Sequence, residues 1–276
     1  MKRIFILCGP LWALCSCGAP GADLRIMIPL YSYPEWYAPA NYVWDDIAAA
    51  GHKVPITAII NPNSGPDGGS PNDDYVHGLT DLRNGGIKIL GYVATGYGNR
   101  DIAAVKAEID LYDTYYNING IFLDEADNTT NFIGYYTNLY AYIKSRPHLS
   151  EVVINPGIGT VENYISAPAA NTAVIFEVDN GWTAYVPNAY VTNYPPERFC
   201  ALLYNVSSET TMRQYVDLAV QRNIGYIYVT NDKDANPWDT IPSYWINLVN
   251  YVETCRNPLK AVPGNSSFPA NRKRSQ

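Results

Sequence analysis

Gly120-Ile121-Phe122-Leu123-Asp124-Glu125 is a short apolar run that ends in two acids, and seven similar runs recur along the chain. Short runs rich in β-branched and aromatic residues, bounded by turn residues, are typical of buried β-strands. The eight predicted strands are Arg25–Leu30, Ile56–Ile60, Ile87–Val93, Gly120–Leu123, Val152–Ile154, Ala173–Val178, Cys200–Tyr204 and Ile224–Val229.

Helical patterns lie between these strands. Ile102–Tyr116 places Ile102, Val105, Ile109 and Tyr112 on one stripe, with Asp101 as the predicted N-cap. Further helices are predicted over Thr130–Ser145, Thr210–Arg222 and Pro242–Glu253, the last with Pro242 in its first turn. Eight strands alternating with helices predict an α/β protein with a single (β/α)8 TIM-type barrel. A doubly wound sheet is the alternative, although such sheets more often carry five to seven strands.

The two ends of the chain differ in composition from residues 23–255, the predicted barrel. Residues 1–22 begin with Lys2 and Arg3 and continue with an apolar stretch too short to span a bilayer, which predicts a signal peptide and secretion to the extracellular space or cell wall. Leu14–Cys17 also resembles a bacterial lipobox, so lipidation at Cys17 is an alternative. Residues 256–276 carry basic residues and no acid, and are predicted to form a disordered basic tail.

The charge is concentrated in the predicted barrel. The whole chain has a net charge of −7, but seven of its 19 basic residues lie at the two ends, which leaves 12 basic against 26 acidic residues, or −14, in residues 23–255. This balance argues against nucleic acid and anionic membranes as partners. Residues 23–255 also hold all 24 Tyr and five of the six Trp of the chain.

Only two of the five cysteines, Cys200 and Cys255, lie outside the predicted signal peptide. In an exported chain they predict one disulfide, and two buried free thiols are the alternative. The sequons at Asn128, Asn205 and Asn265 would permit glycosylation in a eukaryotic host. We expect a monomer.

Carboxylates follow two of the predicted strands. Because active sites of this fold lie at the carboxyl ends of the strands, and because side chains alternate along a strand, Asp124 and Glu177 are predicted to converge above the barrel, with Glu125 at the rim. Paired carboxyl groups without a metal set are what glycoside hydrolysis requires. The structural alternative is that these acids cap a helix or pair with Arg100 or Lys106.

Other polar and aromatic residues at the strand ends are candidates for contact with sugar rings. Aromatic rings pack on the C–H faces of sugars, although core packing explains many of the tyrosines. The predicted substrate-binding residues are Tyr31, Asn61, Tyr92, Tyr97, Asn155, Asp179, Trp182, Tyr204, Asn231 and Trp238.

Motifs for other chemistries are missing from the sequence. There is no H-x-x-x-H for zinc, no G-x-S-x-G for a serine esterase and no P-loop, and Gly157-Ile158-Gly159 is not completed to a dinucleotide-binding fingerprint. We therefore expect neither a metal nor a cofactor.

The strand-end motifs, taken in order, resemble those of the spherulation-specific family 4, or spherulin-4-like, proteins. The matching segments are Ile28-Pro29-Leu30-Tyr31, Ile60–Pro66, Gly91-Tyr92-Val93 with Thr95 and Tyr97-Gly98, Gly120–Glu125 and Asn155-Pro156-Gly157. The resemblance implies a (β/α)8 barrel. It also implies similarity to the fungal glycoside hydrolase family 135, endo-acting α-1,4-N-acetylgalactosaminidases that cut galactosaminogalactan.

In that family, the paired acids after strand four fall on Asp124 and Glu125, and the acid after strand six falls on Glu177. The resemblance implies retention of configuration, with carboxyl groups about 5–5.5 Å apart. We expect Asp124 to be the nucleophile and Glu177 the acid/base, or the reverse, with Glu125 orienting substrate or tuning Asp124.

The expected function is therefore that of a secreted glycoside hydrolase acting on an extracellular or cell-wall polysaccharide of amino sugars. One alternative is a non-catalytic polysaccharide-binding protein of a spore or cyst wall. Another is a glycosidase of different specificity, because loops rather than the barrel select the sugar.

Overall fold

In the computed structural model, which describes residues 22–233 and 235–257, eight parallel strands form a closed barrel in chain order. They are β1 (Arg25–Leu30), β2 (Ile56–Ile60), β3 (Lys88–Ala94), β4 (Gly120–Asp124), β5 (Glu151–Ile154), β6 (Thr172–Val178), β7 (Phe199–Leu203) and β8 (Tyr226–Val229). Pairing of Arg25 with Tyr226 and of Ile26 with Ile227 joins β1 to β8 and closes the barrel. The predicted (β/α)8 barrel is confirmed, and every strand end lies within two residues of its predicted position.

The helices form the outer layer. They are α1 (Val43–Ala50), α2 (Asp73–Asn84), α3 (Ile102–Tyr116), α4 (Ile133–Lys144), α5 (Asn163–Ser166), α6 (Glu209–Gln221) and α7 (Trp245–Arg256). The connection from β6 to β7 contains no α-helix and instead runs through three 3-10 turns, Trp182–Ala184, Ala189–Asn193 and Pro196–Arg198. The predicted alternation of strands and helices is therefore interrupted once.

The helix α3 has the predicted bounds, and the Asp101 carboxylate accepts a hydrogen bond from the backbone N–H of Ala103 as its N-cap. The start predicted for the last helix is wrong. Pro242 precedes α7, which begins only at Trp245, because the Asn231 side chain accepts the backbone N–H of Ser243 and holds the lead-in outside the helix.

The strand β6 contains an irregularity that strict side-chain alternation does not predict. Val174 lies opposite Cys200 and Glu177 lies opposite Leu202, so three steps along β6 match two steps along β7. Neighbouring residues in register share a face of the sheet, so Val174 and Glu177 face the same side. Strict alternation along β6 would instead place Val174 and Glu177 on opposite faces, so the bulge sets the direction of the Glu177 side chain.

The predicted disulfide between Cys200 and Cys255 is also wrong. Cys200 is a free thiol on β7 and is 0% exposed. It lies two residues before Leu202, on the face of β7 that Glu177 shares, whereas Cys255 lies on α7 in the outer layer. Burial raises the pKa of the Cys200 thiol well above its usual range, which keeps it protonated.

The predicted signal peptide, the Cys17 lipidation site and most of the basic tail lie outside the described residues. Arg256, predicted to begin the tail, is instead the last residue of α7 and donates to Asp23 over 2.8 Å. Within residues 22–233 and 235–257, no helix has the length and hydrophobicity needed to cross a bilayer.

We expect Gly120→Ala to lower the free energy of unfolding by about 2 kcal/mol or more, because a Cβ there would lie 2.1 Å from the backbone oxygen of Glu151 on the neighbouring strand. Gly134→Ala is the matched control, since no atom lies within 4 Å of its Cβ and alanine favours the helix. Urea denaturation of both variants measures the difference. Equal stability of the two variants would contradict the assigned packing.

Candidate active site

Three neighbouring strands bring polar side chains together at the carboxyl end of the barrel. Asp124 ends β4, Asn155 follows β5, and Glu177 lies one residue before the end of β6. Because parallel strands all end at the same rim, these residues meet although they are 22 and 31 positions apart in the chain. The structure thus brings Asp124 and Glu177 together, as the strand-end reasoning predicts.

The Asn155 amide nitrogen joins the two acids. It donates to Asp124 Oδ1 over 2.8 Å and to Glu177 Oε2 over 2.5 Å, one hydrogen for each carboxylate. The backbone N–H of Gly157 donates to Asn155 Oδ1 over 2.9 Å, which fixes the orientation of the amide. Since both acid oxygens bond the same nitrogen, they are separated by no more than the sum of those distances, about 5.3 Å.

The two acids differ in their surroundings. Burial raises the pKa of Glu177 to about 7, and the nearby negative charge of Asp124 adds to this effect, so Glu177 is about half protonated at neutral pH. Burial also raises the pKa of Asp124, but donors from the Tyr92 hydroxyl, the Glu125 backbone N–H and the Asn155 amide oppose the rise. Such a pair can supply a proton from one member and a negative charge from the other.

Glu125 lies at the rim with its side chain exposed, as expected. Its backbone is in the left-handed region, with φ of 50°, which is uncommon for a residue other than glycine. The Glu125 carbonyl accepts the backbone N–H of Tyr97 over 2.6 Å. This turn directs the Glu125 backbone N–H toward Asp124 and its side chain toward solvent.

Sequence reasoning did not select the residues that hold this turn in place. Thr95 Oγ1 lies 2.8 Å from the carbonyl oxygens of both Asp124 and Glu125, and 2.8 Å from the hydroxyl of Tyr136. The Tyr136 hydroxyl also accepts the backbone N–H of Asp127 over 3.0 Å. The buried Thr95 appears in the family motif quoted above, whereas Tyr136 has no sequence signal beyond its place on a helix stripe.

Four of the predicted substrate-binding aromatics surround the acid pair. The indole N–H of Trp238 donates to Glu177, and the Tyr204 ring packs edge-on against Trp238 at 5.6 Å between centroids. Tyr31 packs edge-on against Tyr92 at 5.8 Å. Burial, together with the charges of Asp124 and Glu177, raises the pKa of Tyr31 well above its usual range.

Four other predicted residues lie at the same end of the barrel without contacting either acid. Asn61 Oδ1 accepts the backbone N–H of Gly65 over 2.9 Å, and Asn231 holds the lead-in to α7. Tyr97 is exposed beside Glu125, and Asp179 lies exposed just beyond the end of β6. Asn61 and Asn231 therefore shape loops, and their contact with a ligand stays a prediction, as does that of Tyr97 and Asp179.

Trp182 does not line the cleft. It is 0% exposed, its indole N–H donates to the Tyr215 carbonyl on α6 over 3.1 Å, and its ring packs against Phe176 and Arg222. The 3-10 turn that begins at Trp182 covers the outside of β6, because no helix occupies that position. The predicted role of Trp182 in substrate binding is therefore wrong, and the residue belongs to the core.

The described residues contain no group of three or more His, Cys, Asp or Glu side chains arranged to hold a metal ion. The donors around the acid pair are an amide, a phenol and an indole, which suit hydrogen bonding to carboxylates and hydroxyls.

We expect Glu177→Gln to be more stable than the wild type above pH 7 and similar to it near pH 4.5. The pKa of about 7 in the folded state lies above the ordinary value of 4.5, so the wild type loses stability as pH rises through this window, whereas glutamine does not ionise. The gain should approach about 3 kcal/mol at pH 8. Thermal unfolding at both pH values measures it.

The exposed Glu162, whose carboxylate accepts from the Tyr194 hydroxyl, provides the control Glu162→Gln for the loss of one charge. A stability difference between Glu177→Gln and wild type that is the same at both pH values would contradict the burial of an ionisable Glu177.

The fold and the site together define a class of protein: (β/α)8 barrels with a buried carboxyl pair at the carboxyl ends of their strands. The chain belongs to the spherulation-specific family 4, whose model matches residues 25–252. Spherulin-4 of Physarum polycephalum is 33% identical over 233 residues, which are 80% of this chain and 68% of that protein. The resemblance inferred from the strand-end motifs is confirmed.

Two solved structures share the fold. Sph3 of Aspergillus clavatus in complex with GalNAc has a TM-score of 0.71 and 24% identity, covering 84% of this chain and 98% of that chain. The α-L-fucosidase isoenzyme 2 of Paenibacillus thiaminolyticus has a TM-score of 0.57 and 11% identity, covering 84% of this chain and 49% of that chain. At these identities the likeness establishes the barrel architecture.

Proposed function

We propose that the protein is a secreted glycoside hydrolase that cuts α-1,4-linked N-acetylgalactosamine or galactosamine polysaccharide within the chain, with retention of configuration. The observation that carries the proposal is the carboxyl pair joined by Asn155. Membership of the spherulation-specific family 4 and the likeness of the fold to Sph3, whose structure holds GalNAc, support the choice of sugar.

The spacing of the acids supports the retaining mechanism. Retaining glycosidases hold their two carboxyl groups about 5–5.5 Å apart, whereas inverting enzymes need about 6.5–9.5 Å to admit a water molecule. The limit of about 5.3 Å between the bonded oxygens of Asp124 and Glu177 fits the shorter spacing.

The first step transfers the sugar to the protein. The Asp124 carboxylate attacks the anomeric carbon while Glu177, whose pKa of about 7 keeps a proton available, protonates the departing glycosidic oxygen. The C–O bond to the leaving sugar breaks as the bond to Asp124 Oδ forms. The opposing donors from Tyr92 and the Glu125 backbone keep negative charge on Asp124 before the attack.

The second step returns the protein to its starting state. Glu177, now ionised, takes a proton from water as the water oxygen attacks the anomeric carbon, and the bond to Asp124 breaks. Asn155 donates to both acids throughout, so neither has to reorganise as the charge moves from one carboxyl group to the other.

We expect Asp124→Asn and Glu177→Gln each to lower the release of reducing ends from galactosaminogalactan by at least about a thousandfold, because each removes one chemical step. Glu162→Gln, an exposed acid at the same end of the barrel, is the matched control. Circular dichroism should show all three variants folded. Normal turnover by either site variant would contradict the mechanism.

A panel of other polysaccharides in the same assay separates the alternatives. Cleavage of a different polymer that still requires both acids would indicate another specificity on the same mechanism. Binding of polymer by the wild type without release of reducing ends would instead indicate the non-catalytic wall protein. Product mass analysis distinguishes internal cutting from removal of single sugars.

We expect kcat/KM to decline above pH 7, by about tenfold for each further unit, because an ionised Glu177 cannot donate a proton. The Asn155 hydrogen bond lowers the pKa of Glu177, so Asn155→Ala should move this alkaline limb to higher pH while lowering kcat. Initial rates from pH 4 to 9 measure both effects. An alkaline limb that stays in place in Asn155→Ala would show that another group sets it.

A further inference from the structure

A group of exposed aromatic residues lies in the loop between β1 and α1. Tyr33, Trp36 and Tyr37 are 43%, 42% and 59% exposed, and Val76 on the adjacent α2 is also exposed. These four account for nearly half of the nine large hydrophobic side chains exposed in the described part of the chain, so the concentration is local. We call Tyr33, Trp36 and Tyr37 the aromatic platform.

The polar edges of the platform are fixed by one carboxylate. Asp74 accepts a hydrogen bond from the Tyr33 hydroxyl over 2.6 Å on one oxygen and from the indole N–H of Trp36 over 2.8 Å on the other. Asn72, the N-cap of α2, in turn accepts the backbone N–H of Asp74 over 3.0 Å. The two donors lower the pKa of Asp74, which keeps it ionised. Rings held in this way lose little freedom when they bind a ligand.

The ring faces are arranged so that one side stays open. Trp36 stacks on His77 of α2 at 4.4 Å with an 18° interplanar angle, which covers one face of the indole. Tyr37 meets Trp36 edge-on at 5.9 Å, and Tyr33 meets the buried Tyr75 edge-on at 5.7 Å. An exposed aromatic surface on which the Tyr33 hydroxyl and the Trp36 indole N–H are already bonded to protein suits the C–H face of a pyranose ring.

The platform follows the acid cleft directly along the chain. Tyr33 lies only two residues after Tyr31, whose ring packs against Tyr92 at 5.8 Å, and the Tyr92 hydroxyl donates to Asp124. Two residues span at most about 7 Å. A sugar ring is of similar size, so successive residues of one polymer can contact Tyr31 and then the platform. The acidic neighbours Glu35, Asp73 and Asp74 favour an unacetylated, cationic amino sugar at this position.

We propose that the aromatic platform is a distal binding site for amino-sugar residues of the same polysaccharide chain whose scissile bond lies at Asp124 and Glu177. The inference rests on the proposed function and extends it. The platform binds sugars of the polymer that lie away from the acids. It therefore makes the protein prefer long, partly deacetylated chains over short or fully N-acetylated ones.

The test measures binding in the Glu177→Gln background, where cleavage is expected to be at least about a thousandfold slower, with partly deacetylated galactosaminogalactan and a short N-acetylgalactosamine oligosaccharide as probes. Trp36→Ala and Tyr37→Ala should each raise the dissociation constant for the polymer about tenfold, or about 1.4 kcal/mol, and that for the oligosaccharide less than twofold. Among the hydrogen bonds of the described residues, none involves the Tyr37 side chain. Tyr37→Ala therefore leaves no partner unsatisfied and tests the ring contact more directly than Trp36→Ala does. Trp36→Phe keeps an aromatic ring, although it loses the N–H that donates to Asp74, and should retain most of the affinity.

Ile246→Ala, which removes an exposed apolar side chain on α7, is the matched control and should leave both constants unchanged. Equal weakening of polymer and oligosaccharide, or no weakening of either, would overturn the distal site while leaving the proposed function intact. A Glu177→Gln protein that binds neither probe would overturn both. A fully N-acetylated polymer serves as a third probe, and its stronger binding would contradict the role of Asp74 and its acidic neighbours.

Discussion

Closure of the parallel barrel, completed by the pairing of β1 with β8, is the constraint on which the site depends. In an open parallel sheet, the first and last strands would be far apart. In the closed ring, the loops after β1 and β8 are neighbours, and the backbone N–H of Tyr31 donates to the Trp238 carbonyl over 3.0 Å. Aromatic side chains that follow β1 and β8 thereby surround the acids on β4 and β6.

Within that ring, the chemical character of the acid pair follows from the neutrality of Asn155. A lysine or arginine in its place would also hold the two carboxylates together, but its charge would lower the pKa of both. The amide satisfies both groups and adds no charge, so burial and the charge of Asp124 can raise the pKa of Glu177 to about 7. The same arrangement costs stability at high pH, because an ionised Glu177 must then remain in a poorly solvated position.

The sequence predicted the architecture and the acid pair because both depend on strong local patterns. Apolar runs of strand length gave the barrel, and the rule that strand ends carry the site selected Asp124 and Glu177. Residues whose role depends on irregular segments were harder to assign. The bulge in β6 places Val174 and Glu177 on the same face, and the helix-free connection after β6 buries Trp182 in the outer layer.

Counting cysteines failed for a related reason. The count could not reveal that Cys200 lies on a strand and Cys255 on a helix of the outer layer. For Asn155, the sequence predicted the position at a strand end but not the hydrogen bonds to Asp124 and Glu177. Which groups an amide bonds is decided by the loops around it, here by the Gly157 backbone, and a single sequence carries little information about such contacts.

At the opposite end of the barrel, Lys88 on β3 reaches Glu151 on β5 over 2.6 Å, across Gly120 on the strand between them. Together with the side chains packed above it, this ion pair leaves the barrel with a single opening. A linear molecule therefore cannot pass through the barrel from one end to the other. A polymer can reach the acids only from the carboxyl ends of the strands, and a chain that is cut at an internal bond must lie across this opening with both ends in solvent.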